Sequence, residues 1–128
     1  AETTGSGMIL VDTSVWVDYL RSGDAQLAGA LERSLVLTHP FVVGELACGN
    51  LRNRSTVLAL LQELPAAPVA THAEVLALID SRSLMGRGVG YADVQLLASV
   101  MLGGDARLWT RDRRLAAIAG ELAVRFEE

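Results

Sequence analysis

The stretch Met8-Ile9-Leu10-Val11-Asp12-Thr13-Ser14 constrains this chain most. Four apolar residues, enough for a short strand, run straight into a carboxylate and two hydroxyls. A strand without polar alternation is one covered on both faces, as in parallel sheets. An acid at its carboxyl end stands where the crevices of open α/β sheets form. Glu45, Asp93 and Asp112 also sit in apolar surroundings farther along. Four carboxylates that converge make a site for a hard cation.

The rest of the pattern supports a single α/β domain. Ser14 to Arg21 has apolar residues at helical spacing, and Asp24 is placed to cap a second helix to about Glu32. Leu35 to Thr38 reads as a strand, and Pro40 opens a helix to about Gly49. Helices are expected over Thr56–Leu64, His72–Leu84 and Tyr91–Leu102, with a short strand near Val69. Arg107 to Thr110 reads as a strand, Asp112 as a helix start, and Leu122 to Phe126 as a last strand. Short apolar strands alternating with helices imply a mostly parallel sheet covered on both sides. Residues 1–7 read as a tag remnant, with Met8 as the natural start and residues 8–128 as one domain.

Composition removes several chemistries. The chain has no lysine, so all 11 basic residues are arginine. That excludes a P-loop lysine, a Schiff-base lysine and a kinase strand lysine. Two histidines and one cysteine argue against a Cys/His zinc site, and a lone Cys48 cannot close an internal disulfide, which suits the cytoplasm. No apolar run approaches a membrane span, and the Gly88-x-Gly90 pair completes no dinucleotide fingerprint, so no nucleotide cofactor is expected. The net charge of −4 disfavours nucleic acid at first sight. Setting aside Glu2 and the four candidate ligands leaves 10 acids against 11 arginines, which permits an RNA surface without arguing for it.

The plainest reading of Asp12, Asp93 and Asp112 is that they cap helices, since all three fall near helix starts. Periodicity shifts the balance away from capping alone. Asp93 heads the stripe Leu96, Leu97, Val100 and Met101, and Asp112 stands in the same relation to Leu115, Ala116 and Ala119. Glu45 lies past the first turn of its helix, on a face with Phe41, Val42 and Cys48. An unpaired acid there is costly, and a bound cation is the simplest compensation. Mg²⁺ and Mn²⁺ take oxygen ligands, and two ions about 4 Å apart activate water and stabilise a leaving oxygen on phosphorus.

Val11-Asp12-Thr13-Ser14, Gly44-Glu45-Leu46, Tyr91-Ala92-Asp93 and Thr110-Arg111-Asp112, in this order and spacing, resemble the PIN-domain family. More narrowly they resemble its VapC-type ribonuclease toxins. The resemblance implies an α/β/α sandwich and Mg²⁺-dependent endonucleolytic cleavage of RNA, with Mn²⁺ as a substitute, and so inhibition of translation. It assigns Asp12, Glu45, Asp93 and Asp112 as catalytic and metal-binding acids, with Thr13, Ser14 and Thr110 in support. It also implies a homodimer and a cognate VapB antitoxin whose basic side chain occupies the acidic groove. The chain departs from the family at Val94, where Ala is usual, and at Leu115, where Phe is frequent; both are packing positions.

Arg82, Arg87, Arg111, Arg113 and Arg114 are candidates for a phosphate track, with Arg87 and Arg111 preferred; exposed surface is the ordinary alternative. Trp16, Trp109 and Cys48 read as core, His39 as structural, and Asp18 as a solvated helix face. Two competing functions remain: a non-catalytic PIN-like module that binds RNA or protein, and a phospho-acceptor domain, for which the missing lysine is unfavourable.

Overall fold

The computed structural model describes residues 7–128. The tag remnant expected over residues 1–7 therefore lies, except for Gly7, outside the described residues. Three parallel strands form the sheet: β1 (Ile9–Val11), β2 (Val36–Leu37) and β3 (Arg107–Trp109), in the order β2-β1-β3. Ile9 pairs with Val36 and Arg107, and Val11 with Trp109. Successive strand residues face opposite sides of a sheet. Leu10 and Val11 are both fully buried, as are Leu108 and Trp109, so both faces are covered.

Among the described residues seven helices supply that cover: α1 (Thr13–Ser22), α2 (Ala25–Glu32), α3 (Pro40–Ala47), α4 (Arg54–Glu63), α5 (His72–Arg82), α6 (Tyr91–Leu102) and α7 (Arg113–Glu121). The chain leaves β1 in one direction to reach β2, then returns past β1 to reach β3. Right-handed connections in opposite directions send helices to both faces, which gives the α/β/α sandwich. The reversal also opens a crevice at the carboxyl ends of β1 and β3.

α6 is the central helix. Its buried residues run without a break from Val94 to Val100. This is wider than the one-sided stripe that periodicity predicts, because Gln95 and Ser99 are buried with partners. Gln95 exchanges hydrogen bonds with both backbone groups of Ala70, at 2.9 and 3.2 Å. Ser99 meets His39 Nε2 at 2.9 Å, while His39 Nδ1 accepts from the Phe41 N–H at 3.0 Å and so caps α3. Burial holds the His39 imidazole below its ordinary pKa, opposed by the neighbouring Gln95 side chain. This neutral, structural histidine ties the start of α3 to the middle of α6.

Two expected strands are reduced to single bridges. Near Val69 there is none; Ala66 instead pairs with Thr38. Pro68 has no N–H to continue a ladder, and Val69 is exposed. Arg125 bridges Leu108, with Leu108 N–H on the Val124 carbonyl at 2.7 Å and Phe126 N–H on the Leu108 carbonyl at 2.9 Å. Cys48 is exposed rather than in the core.

Candidate active site

Each expected acid stands at the start of a helix or one turn in, at the carboxyl end of the sheet. Asp12 follows β1, is buried, and is the N-cap residue of α1, but its side chain makes no capping bond. Its carboxylate is held from elsewhere. Ser14 Oγ and Thr110 Oγ1 both donate to Asp12 Oδ2 at 2.8 Å. Both bonds fall on Oδ2, leaving Oδ1 for another partner.

The same two hydroxyls fix the far side of the crevice. Ser14 Oγ accepts from the Arg111 N–H at 3.0 Å, and Thr110 Oγ1 accepts from the Asp112 N–H at 3.1 Å. Asp112 Oδ1 then accepts from the Arg114 and Leu115 N–H groups, both at 3.0 Å, and caps α7. The capping reading therefore holds for Asp112 and fails for Asp12. Asp93 stands between, with Oδ2 accepting from the Gly90 N–H at 3.0 Å. The loop before it is pinned at Gly88, whose φ is +85° and where a Cβ would run into the Arg114 side chain.

Glu45 differs from the reading of its sequence. It is exposed rather than buried, and Thr13 Oγ1 donates to its Oε1 at 2.6 Å. The helical stripe that seemed to bury it is carried by Val42 and Leu46 instead. Thr13 and Glu45 line a groove of about 590 Å³ together with Arg21, Leu46, Asn50 and Arg52. Asp12, Asp93 and Asp112 do not line this groove.

The four carboxylates share one electrostatic field. Burial foremost, opposed by the Gly90 N–H, raises the Asp93 pKa, and the charges of Asp12, Asp112 and Glu45 raise it further. Among the described residues, no ion pair involves any of the four. No three His, Cys, Asp or Glu side chains there close around a point to hold an ion by themselves. Such a donor set fits a hard cation that keeps several of its waters, as Mg²⁺ does, better than a fully enclosed ion.

Arg111 and Arg87 already have partners. The Arg111 guanidinium contacts Asp18 and Glu128 at 2.7 Å and Asp24 at 2.6 Å. Arg87 holds Glu121 with two bonds, at 2.7 and 3.2 Å. The residues of the Arg111 cluster come from distant parts of the chain, and no local motif marks them. Asp18, read as a solvated face, is one of its members.

Residues 9–121 match the family model of the PIN domain. The chain belongs to the PIN-domain family. Within it the chain is of the VapC type: it is 51% identical over 121 residues to Ribonuclease VapC32 of Mycobacterium tuberculosis, covering 94% of this chain and 98% of that protein. The same match is found in strains CDC 1551 / Oshkosh and ATCC 25618 / H37Rv. Two solved structures share the PIN fold at 20% identity. One is the complex FitAB bound to an IR36 DNA fragment, with a TM-score of 0.62 over 88% of this chain and 91% of that one. The other is VapC20 of Mycobacterium tuberculosis, a Sarcin-Ricin loop cleaving toxin, with a TM-score of 0.60 over 86% and 94%. Among the described residues no helix is long and apolar enough to cross a membrane.

Proposed function

We propose that this PIN-domain protein is a Mg²⁺- or Mn²⁺-dependent endoribonuclease, the toxin of a type II toxin–antitoxin pair that inhibits translation in the cytoplasm. One observation carries the reading: Asp93 lies within electrostatic reach of Asp12, Asp112 and Glu45, and none of the four is in an ion pair among the described residues. The ribonuclease name of a relative 51% identical supports the same reaction class.

Asp12, Glu45, Asp93 and Asp112 would hold the ion directly or through its waters. Bound there, the ion supplies Lewis-acid activation of water and charge neutralisation at phosphorus. Ser14 and Thr110 keep Asp12 oriented, and Thr13 does the same for Glu45. Hydrogen bonds that orient ligating carboxylates tune such sites strongly. Arg87, with one exposed partner, is the better placed of the two arginines to exchange Glu121 for a substrate phosphate. Arg111 would need to leave three carboxylates, and its contribution is to position the Asp112 turn.

A VapB-type antitoxin and a second copy of the chain complete the proposed assembly. A site rich in acids also suits a guanidinium from an antitoxin, through charge-assisted bonds to its carboxylates. The test is cleavage of total bacterial RNA by the purified chain with Mg²⁺, Mn²⁺ or EDTA, beside Asp12→Ala. Discrete metal-dependent fragments, absent from the variant, are expected. Intact RNA under every condition, with no ion bound by calorimetry, would leave a non-catalytic binding module instead.

A further inference from the structure

The chain has two Phe, two Tyr and two Trp. Four of these rings serve the core. Trp16 and Trp109 are buried, Tyr19 packs edge-on against Trp16 at 5.8 Å, and Phe126 lies 4.8 Å from Trp109. The other two meet elsewhere. Phe41 and Tyr91 have ring centroids 6.3 Å apart at 37°, and the His72 ring lies 5.5 Å beyond Tyr91. Tyr91 is 40% exposed.

We propose that Phe41 and Tyr91 form a stacking platform for an unpaired RNA base beside the four acids. Position is the first argument. Phe41 precedes Glu45 by one helical turn on the same side of α3, about 6 Å along the axis. Tyr91 opens α6 two residues before Asp93. The two helices that carry these acids thus carry both rings.

Rigidity is the second argument. The wholly buried His39 ring meets Phe41 edge-on at 5.5 Å and supports it from the core side. The Tyr91 hydroxyl lies 3.0 Å from His72 Nδ1, which fixes the turn of its ring. Rings already held by their neighbours lose little freedom on stacking.

Electrostatics supplies the third. Phosphate contacts ordinarily dominate RNA affinity. Here the net charge is −4, and Arg87 and Arg111 are engaged with carboxylates. A binding contribution that needs no positive charge adds to what the remaining arginines supply. Stacking of splayed bases on aromatic side chains supplies one, and it selects unpaired RNA.

This inference rests on the nuclease reading, and the test separates the two. Single-stranded 12-nucleotide RNAs carrying 2-aminopurine at one position each are titrated with the Asp12→Asn protein in Mg²⁺. Phe41→Ala, Tyr91→Ala and Tyr91→Trp are then added singly to that background, with a fully paired hairpin as the control RNA. Quenching at one position is expected, with affinity about tenfold weaker in either alanine variant and retained in Tyr91→Trp. In the cleavage-competent protein the alanine variants should raise KM and leave kcat nearly unchanged. Unchanged quenching and affinity in folded alanine variants would overturn the platform while metal-dependent cleavage kept the nuclease reading. Loss of quenching in a protein that never cleaves would keep the platform and sink the nuclease. Light scattering decides the remaining outcome: alanine variants that turn a dimer into a monomer without weakening RNA binding would make this patch a subunit contact and overturn the proposal.

Discussion

Two acidic clusters lie back to back in this protein, divided by the peptide bond between Arg111 and Asp112. Around Arg111, the carboxylates of Asp18, Asp24 and Glu128 surround one guanidinium. Around the crevice, the charges of Asp12, Asp112 and Glu45 act on Asp93, and none of the four is in an ion pair among the described residues. The acid chemistry is the same, yet the consequences are opposite. Arg111 lowers the pKa of Asp24 and of Glu128. Burial and its acidic neighbours raise that of Asp93. One cluster brings its own cation and closes a structural joint between α1, the start of α2, β3 and the last residue. The other has no ion pair among the described residues, the condition that the proposed metal-dependent site needs.

The comparison breaks most visibly at Asp12. Asp12→Asn keeps an acceptor for Ser14 and Thr110 but removes the charge. Cleavage should fall at least about a hundredfold, since the ion loses its most buried carboxylate. The melting temperature should hold or rise, because one repelling charge is gone. Divalent ions should raise the melting temperature of the parent protein saturably and that of the variant much less. Equal stabilisation of both by Mg²⁺ would remove Asp12 from the metal site.

Thr110 joins Asp12 to Asp112 through one hydroxyl. Thr110→Val retains the shape and strips both bonds. Metal affinity, read as the Mg²⁺ concentration for half-maximal cleavage, should weaken about 10- to 100-fold. A change in kcat alone would mean the hydroxyl acts on the reaction rather than on the ligand.

Arg111→Ala tests the self-sufficient cluster. Arg111 is 29% exposed and Asp24 16%, so the loss falls between a surface pair and a buried one, about 1–2 kcal/mol in urea denaturation. Its pH dependence has a definite sign. The carboxyl groups of Asp24 and Glu128 have folded pKa values below their unfolded ones. Their stabilisation is present above the unfolded values and lost as pH falls through the folded ones. The difference between parent and Arg111→Ala should be full at neutral pH and close below about pH 4. Asp93→Asn should behave in the opposite sense. A carboxyl whose folded pKa is raised costs stability as pH rises through it, so this variant gains stability at neutral pH and loses that gain in acid. Parallel pH curves for the two variants would erase the distinction between the clusters.

How far these clusters could be read in the sequence follows from how local their causes are. Asp12, Asp93 and Asp112 stand beside strand ends and helix starts, and those elements announce themselves through apolar runs and periodicity. α6 falls on the residues expected from its pattern, Tyr91–Leu102. Glu45 was legible as a helical residue but not as an exposed one, because the apolar stripe of α3 has neighbours on either side of it. The Arg111 cluster was illegible. Asp18 and Asp24 are 93 and 87 residues away from Arg111, and only the closing of β3 against β1 brings them within reach. The same holds for Phe41 and Tyr91, whose meeting depends on how α3 and α6 pack. Pairing at Ala66 in place of Val69 was lost for a smaller reason, the missing N–H of Pro68.

The smallest expected effect sits at an exposed member of the crevice cluster. Thr13 donates to Glu45 across 2.6 Å on the protein surface. Water replaces such a bond readily, so Thr13→Val should change stability by less than about 0.5 kcal/mol. Cleavage is another matter, because an exposed glutamate has several rotamers and the bond selects one. Losing that selection should raise the Mg²⁺ requirement a few-fold, less than Thr110→Val does, and excess Mg²⁺ should restore the rate. If saturating Mg²⁺ does not restore it, Glu45 serves the reaction through something other than the ion. If Thr13→Val equals Thr110→Val in effect, the buried and exposed halves of the cluster carry equal weight, and the ranking drawn from burial fails.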